Sequence, residues 1–421
     1  MANSFSKQEM VLWSKICEGY ENRNLTAQMV EKFDPGAQSV GRAGGAYRYV
    51  LEDMAEVSTG IDVSGDYKDK VEASVAITLG ATEDVRNSPW AFSAFDANDP
   101  TRHDRAVQGA VKKLSSDIDT RVQDVIVKQG ALVNSVTTDI TKYDELALAS
   151  QSYAEIEHND FDAHMLLPPK ISRKVTGDVA NRSTMNDNAR NAYENGVILD
   201  VDGIRTYKAN VTNRLAAASA GAVTVDGASQ NKTLVAWRSD KDINPLAAGE
   251  IDDPRYQTLT VAGTSLSDGD VFTIDDVNRV GMDTKKDTST QMTFRVISGG
   301  GTTTPVISPA IISDGPYQNV NAEPADGAAI TKINDAACNP VVHFDKSAVV
   351  WVGTEFNVDQ LQGSMAVETY TTDSGISLLL AKQGGIDDMS AKFRLTVWGR
   401  PNLVDPLKAG LILPNQSTVV G

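Results

Sequence analysis

The sequence predicts an α+β protein with a small all-β module inserted into a mixed chain. Residues 259–298 read LTVAGTSLSDGDVFTIDDVNRVGMDTKKDTSTQMTFRVIS. Its β-prone runs, Leu259-Thr260-Val261, Val271-Phe272-Thr273-Ile274 and Met292-Thr293-Phe294-Arg295-Val296-Ile297, alternate with turn clusters such as Ser267-Asp268-Gly269-Asp270. Ahead of the module, Val107, Val111, Leu114, Ile118, Val122 and Val125 recur every three or four residues, the period of a helix. Behind it, strand patterns return and culminate in Lys392-Phe393-Arg394-Leu395-Thr396-Val397-Trp398-Gly399.

From the start, residues 6–33 predict one or two short amphipathic helices. Val11, Leu12 and Ile16, then Leu25, Met29, Val30 and Phe33, fall at helical spacing, with Gly19 as the break and Asp34-Pro35-Gly36 as the stop. Glycine-rich residues 41–45 lead into the strand Tyr47-Arg48-Tyr49-Val50, and residues 71–79 alternate apolar and polar like a half-buried strand. The polar, turn-rich stretch 57–69 between them makes an extended hairpin that reaches a neighbour. The long helix has Asp99 as N-cap, Pro100 at its first position and Gly130 at its end, for a length of ~45 Å. Beyond it come a helix at 144–155, a strand at 161–167 closed by Pro168-Pro169, a helix at 186–195 and a strand and turn at 197–204. The module spans 216–335. Val341-Val342-His343-Phe344, Ala348-Val349-Val350-Trp351-Val352 and Ser377-Leu378-Leu379-Leu380 then read as strands, and 402–414 as a short extended tail.

The 421 residues predict two or three domains with a sizeable core, since 41% are hydrophobic and 23% charged. A net charge of −17 repels nucleic acid and gives no basic stripe for reading a duplex. No apolar run reaches the ~18–20 residues of a membrane span, and the start MANSFSKQEMVLWSKICEGY lacks the pattern of a signal peptide, so cytoplasmic synthesis is expected. Cys17 and Cys338 read as small buried hydrophobes rather than a disulfide.

Catalytic and metal chemistry find little support. The polar cluster Glu155, Glu157, His158, Asp160, Asp162 and His164 has five residues between its histidines, which does not suit a helical zinc pair; alternation would line His158, Asp160, Asp162 and His164 along one strand face. Asp200-Val201-Asp202-Gly203 opens like a calcium loop but lacks the closing glutamate. Gly299-Gly300-Gly301 follows a strand and precedes threonines, as in a hairpin and not a phosphate loop. No nucleophile elbow or dinucleotide fingerprint occurs, and no catalytic residue, metal or cofactor is expected.

The order of elements, from N-terminal arm and hairpin through long helix and mixed domain to inserted module and terminal strand, resembles the Hong Kong 97 type major capsid proteins of tailed phages. The wording is similar to the coat proteins of P-twenty-two-like short-tailed phages. It is carried by Val235-Ala236-Trp237, Asp268-Gly269-Asp270-Val271-Phe272, Asp276-Val277, Thr293-Phe294-Arg295-Val296 and Ile307-Ser308-Pro309, and by the terminus from Arg394 through Pro406 to Gly410-Leu411-Ile412-Leu413-Pro414-Asn415-Gln416. The resemblance implies an N-terminal arm (1–45), an extended loop with peripheral strands (46–96), a spine helix (97–131), an axial domain in two parts (132–215 and 336–385), an inserted β-barrel (216–335), and a peripheral terminal strand and tail (386–421). It implies a coat protein that assembles into hexamers and pentamers of an icosahedral head with a scaffolding protein and a portal protein. That head encloses double-stranded DNA without reading its sequence and is built in the bacterial cytoplasm, with no membrane partner. A surface adhesin or carbohydrate-binding β-rich protein is the alternative, opposed by the missing signal peptide and the long helix.

Three sets of contact residues follow. Asp240, Asp242, Glu250, Asp252, Asp253 and Arg255 lie in a turn-rich segment, 238–257, expected to project and to bridge capsomers at a two-fold axis. Glu9, Glu18, Glu21 and Glu31 on the N-terminal helices are candidates for binding a basic scaffold helix. Asp62, Asp66, Lys68 and Lys70 in the extended loop are candidates for contact with the adjacent subunit, with no covalent cross-link expected.

Overall fold

Five α-helices and a set of mostly antiparallel sheets make up the described part of the protein in a computed structural model: α1 (Lys7–Glu21), α2 (Pro100–Gln129), α3 (Tyr143–Glu155), α4 (Pro169–Ala180) and α5 (Asp187–Asn195). The structure describes residues 7–21, 23, 26–33, 46–52, 54, 61–62, 71–80, 82–93, 100–159, 161–182, 187–195, 198, 200–209, 213–238, 243–354, 365–372, 375–385 and 390–420. They fall into two compact units. The first is Met1–Tyr47, Ile77–Val122 and Val350–Asn402; the second is Arg48–Ala76, Gln123–Val349 and Leu403–Gly421.

The first unit centres on a six-stranded sheet in the order Glu31–Phe33, Val349–Gly353, Ser390–Leu403, Ser377–Gly385, Ala366–Thr371, with Val85–Ser93 also paired to Ser390–Leu403. That 14-residue strand runs antiparallel to two neighbours, from Gly385↔Ser390 to Leu378↔Val397 on one side and from Ser390↔Ser93 to Trp398↔Val85 on the other. Trp351 is buried against it because Gly353 and Gly399 lack side chains; a Cβ on Gly399 would stand 2.8 Å from the indole. Val107, Val111, Leu114 and Ile118 form the buried stripe of α2 here, and Ile118 is wholly enclosed. Asp84, itself buried, receives Arg121 Nη2 at 3.0 Å and the Gly80 amide at 2.7 Å, while Arg121 Nη1 donates to the Gly399 carbonyl at 2.8 Å. One carboxylate thus ties α2 to a loop and, through Arg121, to a strand.

Two expectations for the arm are corrected. Helix α1 passes through Gly19, where glycine costs ~1 kcal/mol, because Ile16, Cys17 and Tyr20 bury its inner face. Among the described residues of the arm no second α-helix follows. Thr26 is held by Asp119, its amide donating at 3.2 Å and its hydroxyl at 2.5 Å, in a short 3-10 turn at Thr26–Gln28. Residues Glu31–Phe33 then extend as an edge strand parallel to Val350, Trp351 and Val352.

The second unit holds a six-stranded sheet ordered Leu132–Ser135, Ala409–Leu413, Val341–Asp345, Ala163–Leu167, Ile204–Lys208, Asp200–Val201. Its core joins Leu132, Met165, Leu167, Val341 and Ile412 to Leu146 and Tyr153 of α3 and to Ile171, Val175 and Val179 of α4. Here the expected extended tail is instead an interior strand. Ala409–Leu413 is buried throughout, parallel to Leu132–Ser135 and antiparallel to Val341–Asp345. Pro168-Pro169 does close a strand, but Pro169 also opens α4, where a proline loses nothing at the first helical turn. The polar cluster before that strand is not one strand face: the strand begins at Ala163, and Asp160 lies outside the described residues.

Within the same unit a seven-stranded sheet runs Gln257–Thr258, Val306–Ser308, Asp287–Ser298, Val271–Val280, Ala329–Lys332, Val223–Val225, Val261–Ala262. The first and last strands are separated by only Leu259 and Thr260. One continuous stretch therefore bonds to Val306–Ser308 at one end and to Val223–Val225 at the other, and closes the sheet on itself. Val223, Val225, Leu259, Val261, Phe272, Ile274, Met292, Phe294, Val296, Ile307 and Ile330 fill the interior. Gly299-Gly300-Gly301 lies in the connection between two antiparallel strands, Asp287–Ser298 and Val306–Ser308.

Candidate inter-subunit surfaces and their anchors

The period of a strand decides which side chains of the module face its interior and which face its surroundings. In Asp287–Ser298, Met292, Phe294 and Val296 point into the closed sheet, so Thr293 and Arg295 point out. Both are buried; Arg295 meets the last turn of α2 and Thr293 the residues just after it. Arg295 Nη2 donates to the Val127 carbonyl and Nε to that of Lys128 at 3.4 Å. Thr293 Oγ1 donates to the Ala131 carbonyl and accepts from the Val133 amide at 3.3 Å. The last carbonyls of a helix are unsatisfied and carry partial negative charge, which a guanidinium complements. Burial lowers the Arg295 pKa to about 10, so the group remains cationic at neutral pH.

A second anchor is the turn at 281–284. Glu157 accepts from the Asp283 amide at 3.1 Å, from the Thr284 amide at 2.7 Å and from the Thr284 hydroxyl at 2.6 Å, and these bonds hold its carboxyl below the ordinary range. Gly281 leaves the room, since a Cβ there would stand 2.4 Å from a Glu157 oxygen. A third outward group, Arg279, is 1% exposed. Among the described residues none of its three guanidinium nitrogens has a hydrogen-bond partner, and Glu155 stands 4.0 Å away. Nearby, His343 shares a 3.1 Å hydrogen bond between Nδ1 and the Tyr153 hydroxyl, and burial lowers its pKa to about 3. Asp345 is held well below the carboxylate range: burial opposes this, but His158, Ser347 and the Asp162 amide outweigh it.

The extended hairpin begins at the paired strands Ala46–Val50 and Ser74–Thr78. Its base packs on the outside of the closed sheet, where Leu51, Val71 and Ala73 meet Leu234, Ile251, Ala310, Ile312 and Tyr317. Arg48 stacks 4.0 Å above the Trp237 ring and donates to Ser74 at 2.7 Å, and the Tyr317 hydroxyl reaches the Glu52 carbonyl at 3.2 Å. Between the two strands Ile61 is fully exposed and Asp62 is exposed beside it. Asp66, Lys68 and Lys70 lie outside the described residues.

The segment 238–257 divides in two. Arg238, Ile243 and Asn244 are exposed, Ile243 at 83%. Glu250–Ile251 instead forms a short strand parallel to Thr233–Leu234, and Glu250 caps the Ala247 amide at 3.1 Å. Arg255 faces inward. It is 6% exposed, paired with Asp253 at 2.7 Å, and donates to the carbonyls of Ala76 at 3.0 Å and Leu403 at 3.4 Å. Burial alone would lower its pKa; the Asp253 carboxylate raises it above the ordinary value. Asp252 and Asp253 are half-buried, and Asp240 and Asp242 lie outside the described residues. Of the acidic residues of the arm, Glu9, Glu18 and Glu21 belong to α1, where Glu18 is exposed, and Glu31 sits on the edge strand instead of a helix.

Among the described residues no group of three or more His, Cys, Asp or Glu is placed to hold a metal ion, and no helix is long and apolar enough to cross a membrane. Burial raises the Cys338 thiol to about 11, which keeps it protonated. A family model described as "P22 coat protein - gene protein 5" matches residues 1–414. The chain belongs to the P22 coat protein family. It is a major capsid protein of a phage head, and its place is the virion capsid. The family consists of structural proteins and not of enzymes. Among solved structures, the coat protein is similar to one titled Mycobacterium phage Che8, with a TM-score of 0.43 and 10% identity over 92% of this chain and 90% of that one. It is similar to the capsid of Cyanophage P-SCSP1u at 0.41 and 12%, over 91% and 85%. It also matches the CUS-3 coat protein I-domain at 40% identity, over 28% of this chain and 98% of that one, with a TM-score of 0.21.

Proposed function

We propose that the coat protein assembles into hexamers and pentamers of an icosahedral head, guided by a scaffolding protein, with a portal protein as a further partner. The observation that carries this reading is the hairpin: Leu51, Val71 and Ala73 at its base pack within the second unit, while Ile61 is wholly exposed on the single chain. A large apolar side chain left fully exposed between two anchored strands fits a contact made only in an assembly. Asp62, Asp66, Lys68 and Lys70 would give that contact its polar part. The acidic segment with Asp240, Asp242, Glu250, Asp252 and Asp253 would face a neighbouring capsomer, together with the exposed Ile243. Arg255 is spent within the chain and contributes no charge there.

The acidic arm, with Glu9, Glu18, Glu21 and Glu31, would recruit a basic scaffold segment, and that binding weakens as salt shortens the screening length to ~10 Å at 0.1 M. The shell would enclose double-stranded DNA without sequence-specific contacts, as a net charge of −17 on each copy repels phosphates. Assembly would take place in the bacterial cytoplasm. Replacing residues 55–70 with a short Gly-Ser turn tests the central contact. The variant is expected to fold with an unchanged circular dichroism spectrum yet form no closed shells; normal shells would contradict the reading.

A further inference from the structure

We propose that Arg255 and Trp237 are positioning residues that latch the base of the extended hairpin to the closed sheet and so set the direction in which the hairpin leaves the molecule. The role of that direction in assembly rests on the function proposed above; the latch itself does not. Two independent grips meet the hairpin's two strands. Arg48 on the outgoing strand lies over Trp237 at 4.0 Å and bonds across to Ser74 on the returning strand. Arg255 donates to the Ala76 carbonyl of the returning strand, with its head fixed by Asp253 and by the Leu403 carbonyl. Between these polar grips, Leu51, Val71 and Ala73 rest on Leu234, Ala310 and Ile312.

The chemistry of the two residues suits the task. A guanidinium presents a planar fork of donors, so Asp253 takes one edge and two carbonyls from distant parts of the chain take the rest. A cation over an indole gains most when it is shielded from water, and Arg48 is half-buried. Two strands alone make a marginal hairpin. Fixing both at their base by groups from the module gives the hairpin a direction that it would not hold by itself.

The test is hydrogen exchange on the unassembled full-length chain, for Arg255→Ala, Trp237→Ala and Arg255→Lys, with Tyr193→Ala, exposed on α5, as control. Loss of either grip is expected to speed exchange at Leu51, whose amide bonds to Ala73, and at residues 74–78 by about tenfold or more. Exchange at 272–274 and 293–296 stays at the parent rate, and Arg255→Lys, which keeps a cation for Asp253, recovers part of the protection. Unchanged exchange at the hairpin base, or equal loss throughout the unit, overturns the latch. A second arm assays shell formation with scaffold: a loosened hairpin with fewer closed shells supports the link to assembly, and normal shells from a chain with a loosened hairpin overturn that link alone.

Discussion

Arg295 of the inserted module closes the C-terminal end of the long helix α2 by donating to the carbonyl of Val127. A residue 168 positions away in sequence thereby supplies what the helix end lacks, and the module is fastened to the helix by a buried cation. Arg279, on the neighbouring strand, is equally buried but reaches no hydrogen-bond acceptor among the described residues.

The two arginines should respond in opposite ways to replacement by methionine. Arg295→Met strips hydrogen bonds from buried helix carbonyls and is expected to cost about 3–5 kcal/mol in urea unfolding. Arg279→Met removes a desolvated charge whose partner Glu155 keeps 23% exposure and can be hydrated, so stability is unchanged or rises by up to ~1 kcal/mol. A large loss at Arg279 would show that its guanidinium carries a contact beyond Glu155.

Gly281 and Glu157 form a coupled pair. Gly281→Ala drives a methyl into a carboxylate tied by three hydrogen bonds, with an expected cost of ~1–3 kcal/mol. In a Glu157→Ala background the same change costs under ~1 kcal/mol, because the obstruction has gone. Additive costs in the double-mutant cycle would contradict the geometry.

Stability should fall on mild acidification through His343. Its folded pKa, about 3, lies below the 6.5 of an unfolded histidine. Between those values the unfolded chain binds a proton that the folded one refuses, so stability is full above about pH 6.5 and declines as pH falls toward 3. The loss is about 2 kcal/mol by pH 5. Unfolding midpoints at pH 7.5 and 5.0 measure it, and His343→Asn is expected to flatten the difference. Asp345, whose carboxyl is held low in the fold, adds a further loss only below its unfolded value of 3.8.

A contact between copies through the acidic segment is best probed at Glu250 and Asp252, because reversing Asp253 would unseat Arg255 from the hairpin base. Glu250→Lys with Asp252→Lys is expected to leave the monomer folded and its particles unstable or aberrant. Each exposed ion pair is worth only ~0.2–1 kcal/mol, and the shell repeats it many times. Normal, stable shells would remove this segment from the contacts between capsomers.

Much of the fold was legible in local pattern. The stripe from Val107 to Val122 and the Pro100 and Gly130 boundaries gave α2, and alternation gave the strands of the module. What escaped depends on partners distant in sequence. Residues 409–413 read as a tail because a short apolar run does not reveal that it will lie between two strands drawn from residues 132 and 341 onward. Residues 31–33 keep a helical spacing, yet Asp119 fixes Thr26 and the chain extends along Val350–Val352. Arg255 looked like a surface charge among acids; its burial depends on Ala76 and Leu403, which no local reading supplies. Helix α4 did carry a signal, Pro169 followed by Ile171, Val175 and Val179 at helical spacing.

Imaging of the coat protein coexpressed with its scaffolding protein tests the central claim most directly. Cryo-electron microscopy of the purified particles is expected to show closed icosahedral shells with hexamers and pentamers, the hairpin of each copy lying on the next. Discrete monomers under those conditions, with no shells at any salt concentration, would contradict it.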